Sequence, residues 1–133
     1  MKKSLLIILL GIVFSMSVFA QTPAAKGPVM LFESKSFDFG DVKQGQKVTH
    51  TFQYKNTGTD TLKISNVVSS CGCTVPQEYT KIVPPGAGAT ITVQFDSTDK
   101  MGVVNKSLTI FSNALSSGPD PVEYLKIRVN VIP

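Results

Sequence analysis

Histidine and cysteine are scarce in this sequence, and their scarcity limits the chemistry that the chain can carry. There is one histidine, His50, and there are two cysteines, Cys71 and Cys73. A structural zinc site takes four ligands, so these three side chains leave the set incomplete within one chain. The sequence has neither a glycine-rich phosphate loop between a strand and a helix nor a serine nucleophile elbow. We therefore expect no catalytic residues, no enzymatic activity and no cofactor.

Helical periodicity is also missing. No window repeats apolar residues at i, i+3, i+4 and i+7, whereas residues 48–54, 89–95 and 125–131 alternate with the period of a strand. Clusters of turn-forming residues at 56–60 and 84–88 separate such runs. The pattern predicts an all-β fold, an immunoglobulin-like antiparallel β-sandwich of about seven strands.

The alternation also predicts which side chains fill the core. Phe52 and Phe95 lie on the apolar side of their runs, so we expect both to be buried between two sheets. Thr51 belongs to the opposite face of its strand and should meet water. His50 falls on the same side as Phe52, which favours a hydrogen-bonded core or sheet-edge histidine over a ligand or a base.

The first 20 residues have the layout of a secretory signal peptide. Lys2 and Lys3 form a positively charged start, an apolar run follows, and residues 18–20 (VFA) offer a cleavage site before Gln21. The apolar run is short for a membrane span, which needs about 20 residues. We predict a signal peptide at residues 1–20, a periplasmic or secreted mature protein, and no stable membrane insertion after cleavage.

Removal of that segment changes the charge of the chain. The net charge of +4 falls to +2, because eleven basic residues then face nine acidic ones. So small an excess gives little support for binding to nucleic acid, and we expect none. Residues 21–28 lack periodicity and predict a flexible lead, and residues 29–133 have the length of one domain.

The two cysteines are separated only by Gly72, and several roles remain open for them. A bridge would close a very small ring, worth about 1.6 kcal/mol by the chain-entropy formula. Residues i and i+2 of a strand lie about 6.6 Å apart on one face, near the upper limit for a disulfide, and a glycine bend could relieve the strain. The pair could therefore be a weakly stabilising disulfide or two small core residues. It could also be a reversible thiol switch.

Metal binding is the remaining role for these thiols. His50 is a candidate third ligand, and cuprous ion accepts few soft ligands, to which Met30 or Met101 could add a thioether. Among all these roles we predict a disulfide between Cys71 and Cys73 in an oxidising compartment, where such bonds persist.

Three short blocks occur in a fixed order along the chain. They are FDFG at residues 37–40, KNTG at residues 55–58 and SCGCT at residues 70–74. This set resembles the bacterial domain-of-unknown-function family 1573 over nearly all of residues 37–131. Families of this kind resemble immunoglobulin-like, PapD-like and ASH-type β-sandwiches. The resemblance implies an exported, non-enzymatic module, and it supplies neither a reaction nor a named partner.

The expected function is therefore that of a binding or scaffolding module. Its partner would be another exported or envelope protein, met through an exposed strand edge. The alternative is a thiol-redox or copper-handling protein centred on Cys71 and Cys73. A buried, inert pair would favour the first function, and an exposed, reducible or metal-loaded pair would favour the second.

Overall fold

The computed structural model of the chain describes residues 26–115 and 122–133. The predicted signal peptide at residues 1–20 lies outside these ranges. No helix that could span a membrane is found in the described part of the chain. The described residues form nine strands: β1 (Met30–Phe32), β2 (Ser36–Lys43), β3 (Lys47–Asn56), β4 (Leu62–Ser69), β5 (Thr74–Tyr79), β6 (Ile82–Val83), β7 (Gly88–Asp96), β8 (Gly102–Ser112) and β9 (Val122–Ile132).

The strands form two sheets that pack as a sandwich. One sheet has the order β1-β3-β7-β5 and the other has the order β2-β9-β8-β4-β6. This matches the constant-type immunoglobulin arrangement, in which strands A, B, E and D form one sheet and C, F and G the other. The predicted all-β immunoglobulin-like sandwich is confirmed.

Strand number and direction differ in detail from the prediction of about seven antiparallel strands. The first strand of the fold is divided, because the chain leaves β1 in one sheet and enters β2 in the other after only three intervening residues. The two-residue β6 adds a further strand. The β2–β9 pair is parallel, so this one pair departs from the predicted antiparallel arrangement.

The core lies between the two sheets, and the alternation seen in the sequence fills it. Phe52 is 1% exposed and Phe95 is 0% exposed, whereas Thr51 is exposed, so the predicted register of these strands is confirmed. Burial of two such aromatic side chains contributes several kcal/mol, because each fully buried large apolar side chain is worth about 1.5–3 kcal/mol.

The KNTG block at residues 55–58 forms a buried corner. The Asn56 side chain is fully buried; its Oδ1 accepts from the N–H groups of Val29 and Gly58, and its Nδ2 donates to the carbonyls of Asp60 and Val83. A Cβ on Gly58 would overlap backbone atoms of the segment before β1. This block is therefore explained by packing and hydrogen bonding.

The FDFG block at residues 37–40 forms a bulge inside β2, where the register against β9 shifts between Asp38 and Asp41. Gly40 has a φ of 69°, a left-handed conformation that glycine adopts easily, and its N–H donates to Asp38 Oδ1 at 2.8 Å. Asp38 and Asp41 therefore lie on either side of this bulge.

The described domain includes the last residues of the predicted lead. Gly27 and Pro28 are buried. Gly27 exchanges hydrogen bonds with Thr59, and the Pro28 carbonyl accepts from the N–H of Leu115. These bonds tie the approach to β1 to two loops of the sandwich.

Candidate functional site

The SCGCT block forms the crossover from β4 in one sheet to β5 in the other. A disulfide joins Cys71 and Cys73, whose Cα atoms are 5.4 Å apart. Both cysteines are half-buried, and Gly72 between them is exposed. The disulfide therefore lies near the surface, where the chain passes from one sheet to the other.

Hydrogen bonds hold this crossover independently of the disulfide. The N–H of Ser70 donates to the Ser107 carbonyl at 2.9 Å, and the Ser69 hydroxyl donates to the Cys71 carbonyl at 2.7 Å. On the other side, the Cys73 carbonyl accepts from the N–H of Asp96 at 2.8 Å. The loop is thus anchored to β8 and to β7 without help from the sulfur atoms.

Neither the backbone conformation at position 72 nor the surrounding atoms require the residue there to be glycine. Gly72 lies outside the left-handed region, and a Cβ at this position would meet no atom within 4 Å outside Cys71 and Cys73. The glycine bend suggested by the sequence is therefore not a left-handed one. Beyond the two cysteines, the space around position 72 is open.

The metal candidates Cys71, Cys73 and His50 are not brought together. Within residues 26–115 and 122–133, no three histidine, cysteine or acidic side chains form a group able to hold a metal ion. The two sulfur atoms are bonded to each other, and His50 lies among aromatic rings on β3. The geometry gives the proposed copper site no support.

His50 belongs to an aromatic cluster that it forms with Phe37, Phe39 and Phe52. Its ring stacks on Phe37, with centroids 3.6 Å apart and an interplanar angle of 10°, and it meets Phe52 edge to face at 4.7 Å. Phe37 and Phe39 come from β2 of the other sheet, so the cluster links the two sheets near the edge of the sandwich. Partial burial lowers the pKa of His50 below its ordinary 6.5, since burial penalises the charged ring.

The aromatic cluster lies beside a strand that is only partly covered. β1 pairs with the last residues of β3, at Tyr54–Asn56, and the final bond on that side runs from the N–H of Glu33 to the carbonyl of Gln53 at 3.1 Å. The chain then crosses to the other sheet. The first half of β3 therefore has β7 on one side and no paired strand on the other among the described residues.

The hydrogen bonds between β3 and its neighbours show which backbone groups of β3 point outward. In an antiparallel strand, alternate residues direct their N–H and C=O to opposite neighbours. Asn56 exchanges its bonds with the β7 side, through Ala87 and Gly86, so the odd-numbered residues of β3 point the other way. Lys47, Thr49 and Thr51 thus present their backbone groups outward, and we call these three residues the open edge of β3.

The other sheet edges are short or interrupted. On β5, the Thr74 N–H donates to the Cys71 carbonyl, Pro76 has no N–H, and the register shifts between Pro76 and Glu78. On β2, the Ser34 hydroxyl donates to the Ser36 carbonyl, and the bulge at Gly40 interrupts the edge.

The remaining edge strands, β1 and β6, have only three and two residues. The open edge of β3 is consequently the better place for a further strand.

A groove of about 840 Å³ crosses the second sheet over β2, β9 and β8. Its charged side chains include Lys126 and Arg128, and the Arg128 guanidinium donates to Asp38 Oδ2 at 2.8 Å. The Gly40 N–H and Arg128 hold the pKa of Asp38 below its ordinary value. These two residues lie 90 positions apart, so the sequence alone does not predict that they pair. Exposed ion pairs of this kind contribute about 0–1 kcal/mol.

The sequence predicted an exposed strand edge as the contact surface but did not identify it as an edge of β3, and it did not predict the exposure of Phe37. Phe37 is 36% exposed although it alternates as a core residue would. The signal available was the polar segment at residues 33–36, which separates two apolar runs and permits the change of sheet. That segment alone does not show which part of β3 is left uncovered.

Comparison with known proteins agrees with the fold. The model of a family described as "Protein of unknown function (DUF1573)" matches residues 30–131. None of the curated proteins compared with the chain matches it.

Solved structures with a similar fold come from several kinds of protein. A Porphyromonas gingivalis W83 protein of unknown function is 17% identical with a TM-score of 0.68, and the match covers 85% of this chain and 51% of that one. The ASH / PapD-like domain of human CEP192 is 12% identical with a TM-score of 0.63, over 99% of this chain and 96% of that one. The secreted serine protease VesC of Vibrio cholerae is 15% identical with a TM-score of 0.60, and the match covers 77% of this chain and 23% of that one.

These matches differ in extent. The chain spans about half the length of the P. gingivalis structure and about a quarter of VesC. At such identities the likeness shows the fold alone.

Proposed function

The chain belongs to the DUF1573 family of proteins of unknown function, and we propose that it is an exported binding module that captures an extended polypeptide segment. The segment adds as a strand at the open edge of β3. Backbone hydrogen bonds supply affinity in this mode of recognition, and side chains on alternate positions supply specificity. The fold shared with the ASH / PapD-like domain of human CEP192 is compatible with this role.

One observation carries the proposal: unpaired backbone groups lie directly beside partly exposed aromatic rings. Thr49 and Thr51 offer N–H and C=O groups, and Phe37 and His50 flank them on the inner side. A strand placed there would direct every second side chain toward those rings, since side chains alternate across a strand. The partner segment should therefore alternate apolar with polar residues.

A display library of short peptides tests this proposal. Enriched peptides should show the apolar–polar alternation. On binding they should slow amide hydrogen exchange at Thr49 and Thr51 of the full chain. Protection that falls on β5 or β2 instead, or the absence of any enriched extended peptide, would contradict the proposal.

Matched variants of Thr51 sharpen that test. Thr51→Pro removes an outward N–H that no other strand uses, and proline is tolerated at such edge positions. We expect this variant to lose peptide binding, whereas Thr51→Ala keeps the N–H and should bind as the unchanged protein does. Equal binding by both variants would show that the backbone of β3 is not the docking surface.

Export is a separate part of the proposal. The order of Lys2, Lys3, the apolar run and residues 18–20 supports removal of a signal peptide. The intact mass of the protein recovered from the periplasm or the medium should correspond to a chain that begins at Gln21. Retention of residues 1–20 in a membrane fraction would contradict this part and leave the binding proposal untouched.

A copper-handling role has no supporting observation, and we do not propose it. The thiol-redox role has one, the open space around position 72 between the bonded cysteines, and it concerns a different surface from the open edge of β3.

A further inference from the structure

We propose that the Cys71–Cys73 disulfide is an exchange site that accepts electrons from paired cysteine thiols in a polypeptide substrate. The site lies at the β4–β5 crossover. In the order β1-β3-β7-β5, the open edge of β3 is on the opposite side of β7 from β5. The inference therefore does not depend on the proposed peptide docking.

Access is the first argument for this site. A thiolate can attack a disulfide only if it reaches one of the sulfur atoms, so exchange depends on exposure. Both cysteines are half-buried rather than enclosed, and Gly72 between them is exposed. A Cβ at position 72 would meet no atom within 4 Å outside its two neighbours, Cys71 and Cys73, so no other described part of the fold crowds the loop at this point. The backbone of Gly72 lies outside the left-handed region, so its conformation does not demand glycine.

Independence from the fold is the second argument. A disulfide that must open and close in a native protein should not be the element that holds its loop. Here the loop is held by hydrogen bonds. The Ser70 N–H donates to the Ser107 carbonyl, and the Ser69 hydroxyl donates to the Cys71 carbonyl. The Asp96 N–H donates to the Cys73 carbonyl. The sulfur atoms can separate while these bonds remain.

The position relative to the core is the third argument. Cys73 packs against the border of the core, and Cys71 is not among the core residues. Opening the bond therefore leaves no cavity among the buried side chains that join the two sheets. The stabilisation that a disulfide gives through chain entropy grows with the length of the loop it closes, and this one spans only two positions.

The proposed reaction is balanced without a further reagent. A substrate thiolate attacks one sulfur of the Cys71–Cys73 bond; a new bond joins substrate and protein, and the other cysteine leaves as a thiolate. The second substrate thiolate then attacks the substrate sulfur of this mixed disulfide and releases the remaining cysteine. The substrate dithiol loses two electrons and two protons and becomes a disulfide, and the protein gains both as a dithiol.

The experiment mixes the oxidised full-length protein with a reduced peptide that carries two cysteines. Free thiols are blocked at successive times and both partners are weighed by mass spectrometry, while the tertiary structure is followed by near-ultraviolet circular dichroism. We expect one equivalent of peptide disulfide to form for each protein dithiol, with the fold retained throughout. Transfer that occurs only at the rate of global unfolding, or no transfer at all, would overturn the proposal.

Variants of Gly72 test the route of access. Gly72→Leu places a large side chain in the open space, and the backbone there does not demand glycine, so the variant should fold. We expect its exchange rate to fall by about tenfold or more, whereas the matched Gly72→Ala variant should stay within about twofold of the unchanged protein. Equal exchange rates in the Gly72→Leu and Gly72→Ala variants, with unchanged thermal unfolding in both, would overturn the proposal that the substrate thiolate approaches past position 72.

The variant Thr51→Pro separates this inference from the proposed function. The substitution is directed at peptide docking on β3 and leaves the crossover loop intact. Exchange with the dithiol peptide should therefore continue at its normal rate. A loss of exchange in this variant would show that the two surfaces are not independent and would contradict the inference as stated.

Discussion

Thr74 carries a buried polar atom with no hydrogen-bond partner. Its Oγ1 is alone in this respect among the side-chain atoms of the described residues, and the residue is 1% exposed. A buried hydroxyl that lacks a partner costs about 1–3 kcal/mol in protein measurements. We predict that Thr74→Val, which keeps the shape and removes the hydroxyl, raises the free energy of unfolding by about 1 kcal/mol. Denaturant unfolding measures the change.

Ser97 provides the control for this prediction. The residue is equally buried, but its hydroxyl lies 2.9 Å from the Lys43 carbonyl and 2.6 Å from the Gln46 carbonyl, and its single hydrogen is donated to these two acceptors. Ser97→Ala should therefore lower the free energy of unfolding by about 1–3 kcal/mol, opposite in sign to the change at Thr74. A loss of stability in both variants would show that the Thr74 hydroxyl is satisfied after all.

His50 makes stability depend on pH in a defined window. It is the only histidine, and its pKa in the folded protein lies below the ordinary 6.5. Between these two values the unfolded chain binds a proton that the folded chain does not, so stability falls as pH falls. We predict a constant free energy of unfolding just above pH 6.5, a decline below it, and a plateau once the folded state is also protonated.

Two comparisons isolate the contribution of His50. His50→Phe keeps an aromatic ring against Phe37 and cannot titrate, so the decline below pH 6.5 should disappear. Asp38 and Asp96 also have lowered pKa values, but their stabilisation is lost only below their ordinary 3.8. A decline that persists unchanged in the His50→Phe variant would contradict the assignment.

At the scale of the strand, the faces of β3 should differ in their contribution to stability. Phe52 points into the core and Thr51 points outward from the adjacent position. Phe52→Ala should lower the free energy of unfolding by about 3–5 kcal/mol, because the side chain is lost and a cavity remains. Thr51→Ala should cost well under 1 kcal/mol, in the range of ordinary surface substitutions. Denaturant midpoints of the two variants test this difference, and equal small losses would contradict the register.

Strands with strong alternation were predictable, because alternation reports the two environments of a sandwich directly. β3, β7 and β9 are examples, and the burial of Phe52 and Phe95 followed from them. The parallel pairing of β2 with β9 was not predictable. It joins segments about 90 positions apart, and strand periodicity has no information on the direction of a distant partner.

The candidate site, like the fold, was only partly predictable from the sequence. The proximity of Cys71 and Cys73 follows from their spacing alone. By contrast, the open space beside Gly72 depends on the path of neighbouring loops. The uncovered half of β3 depends on where the first strand changes sheets, and Phe37 and Phe39 pack against His50 just after that change.

At the scale of the whole molecule, the two proposed surfaces belong to opposite edges of the β1-β3-β7-β5 sheet. The open edge of β3 belongs to the side where the first strand crosses between sheets, and the disulfide belongs to the side where β4 leads into β5. The core residues contributed by both sheets form one cluster, so the sandwich should unfold as a unit. Changes at either surface can therefore leave the fold in place.

The stability of the whole domain should depend only weakly on its disulfide. A bridge stabilises chiefly by restricting the unfolded chain, and for the ring closed by Cys71 and Cys73 this restriction is worth about 1.6 kcal/mol. We predict that the double variant Cys71→Ala and Cys73→Ala has a free energy of unfolding lower by on the order of 1–2 kcal/mol, beyond any packing defect, and unfolds in one cooperative transition.

The unchanged protein after reduction by dithiothreitol is the matched control, because it loses the same ring and keeps both side chains. Its denaturation curve should lie close to that of the variant. A loss of more than about 4 kcal/mol in both would identify the bond as a structural staple, since removal of a native disulfide from a small secreted domain typically costs 2–5 kcal/mol. The hydrogen bonds that hold residues 69–73 to β7 and β8 are the physical reason to expect the smaller value.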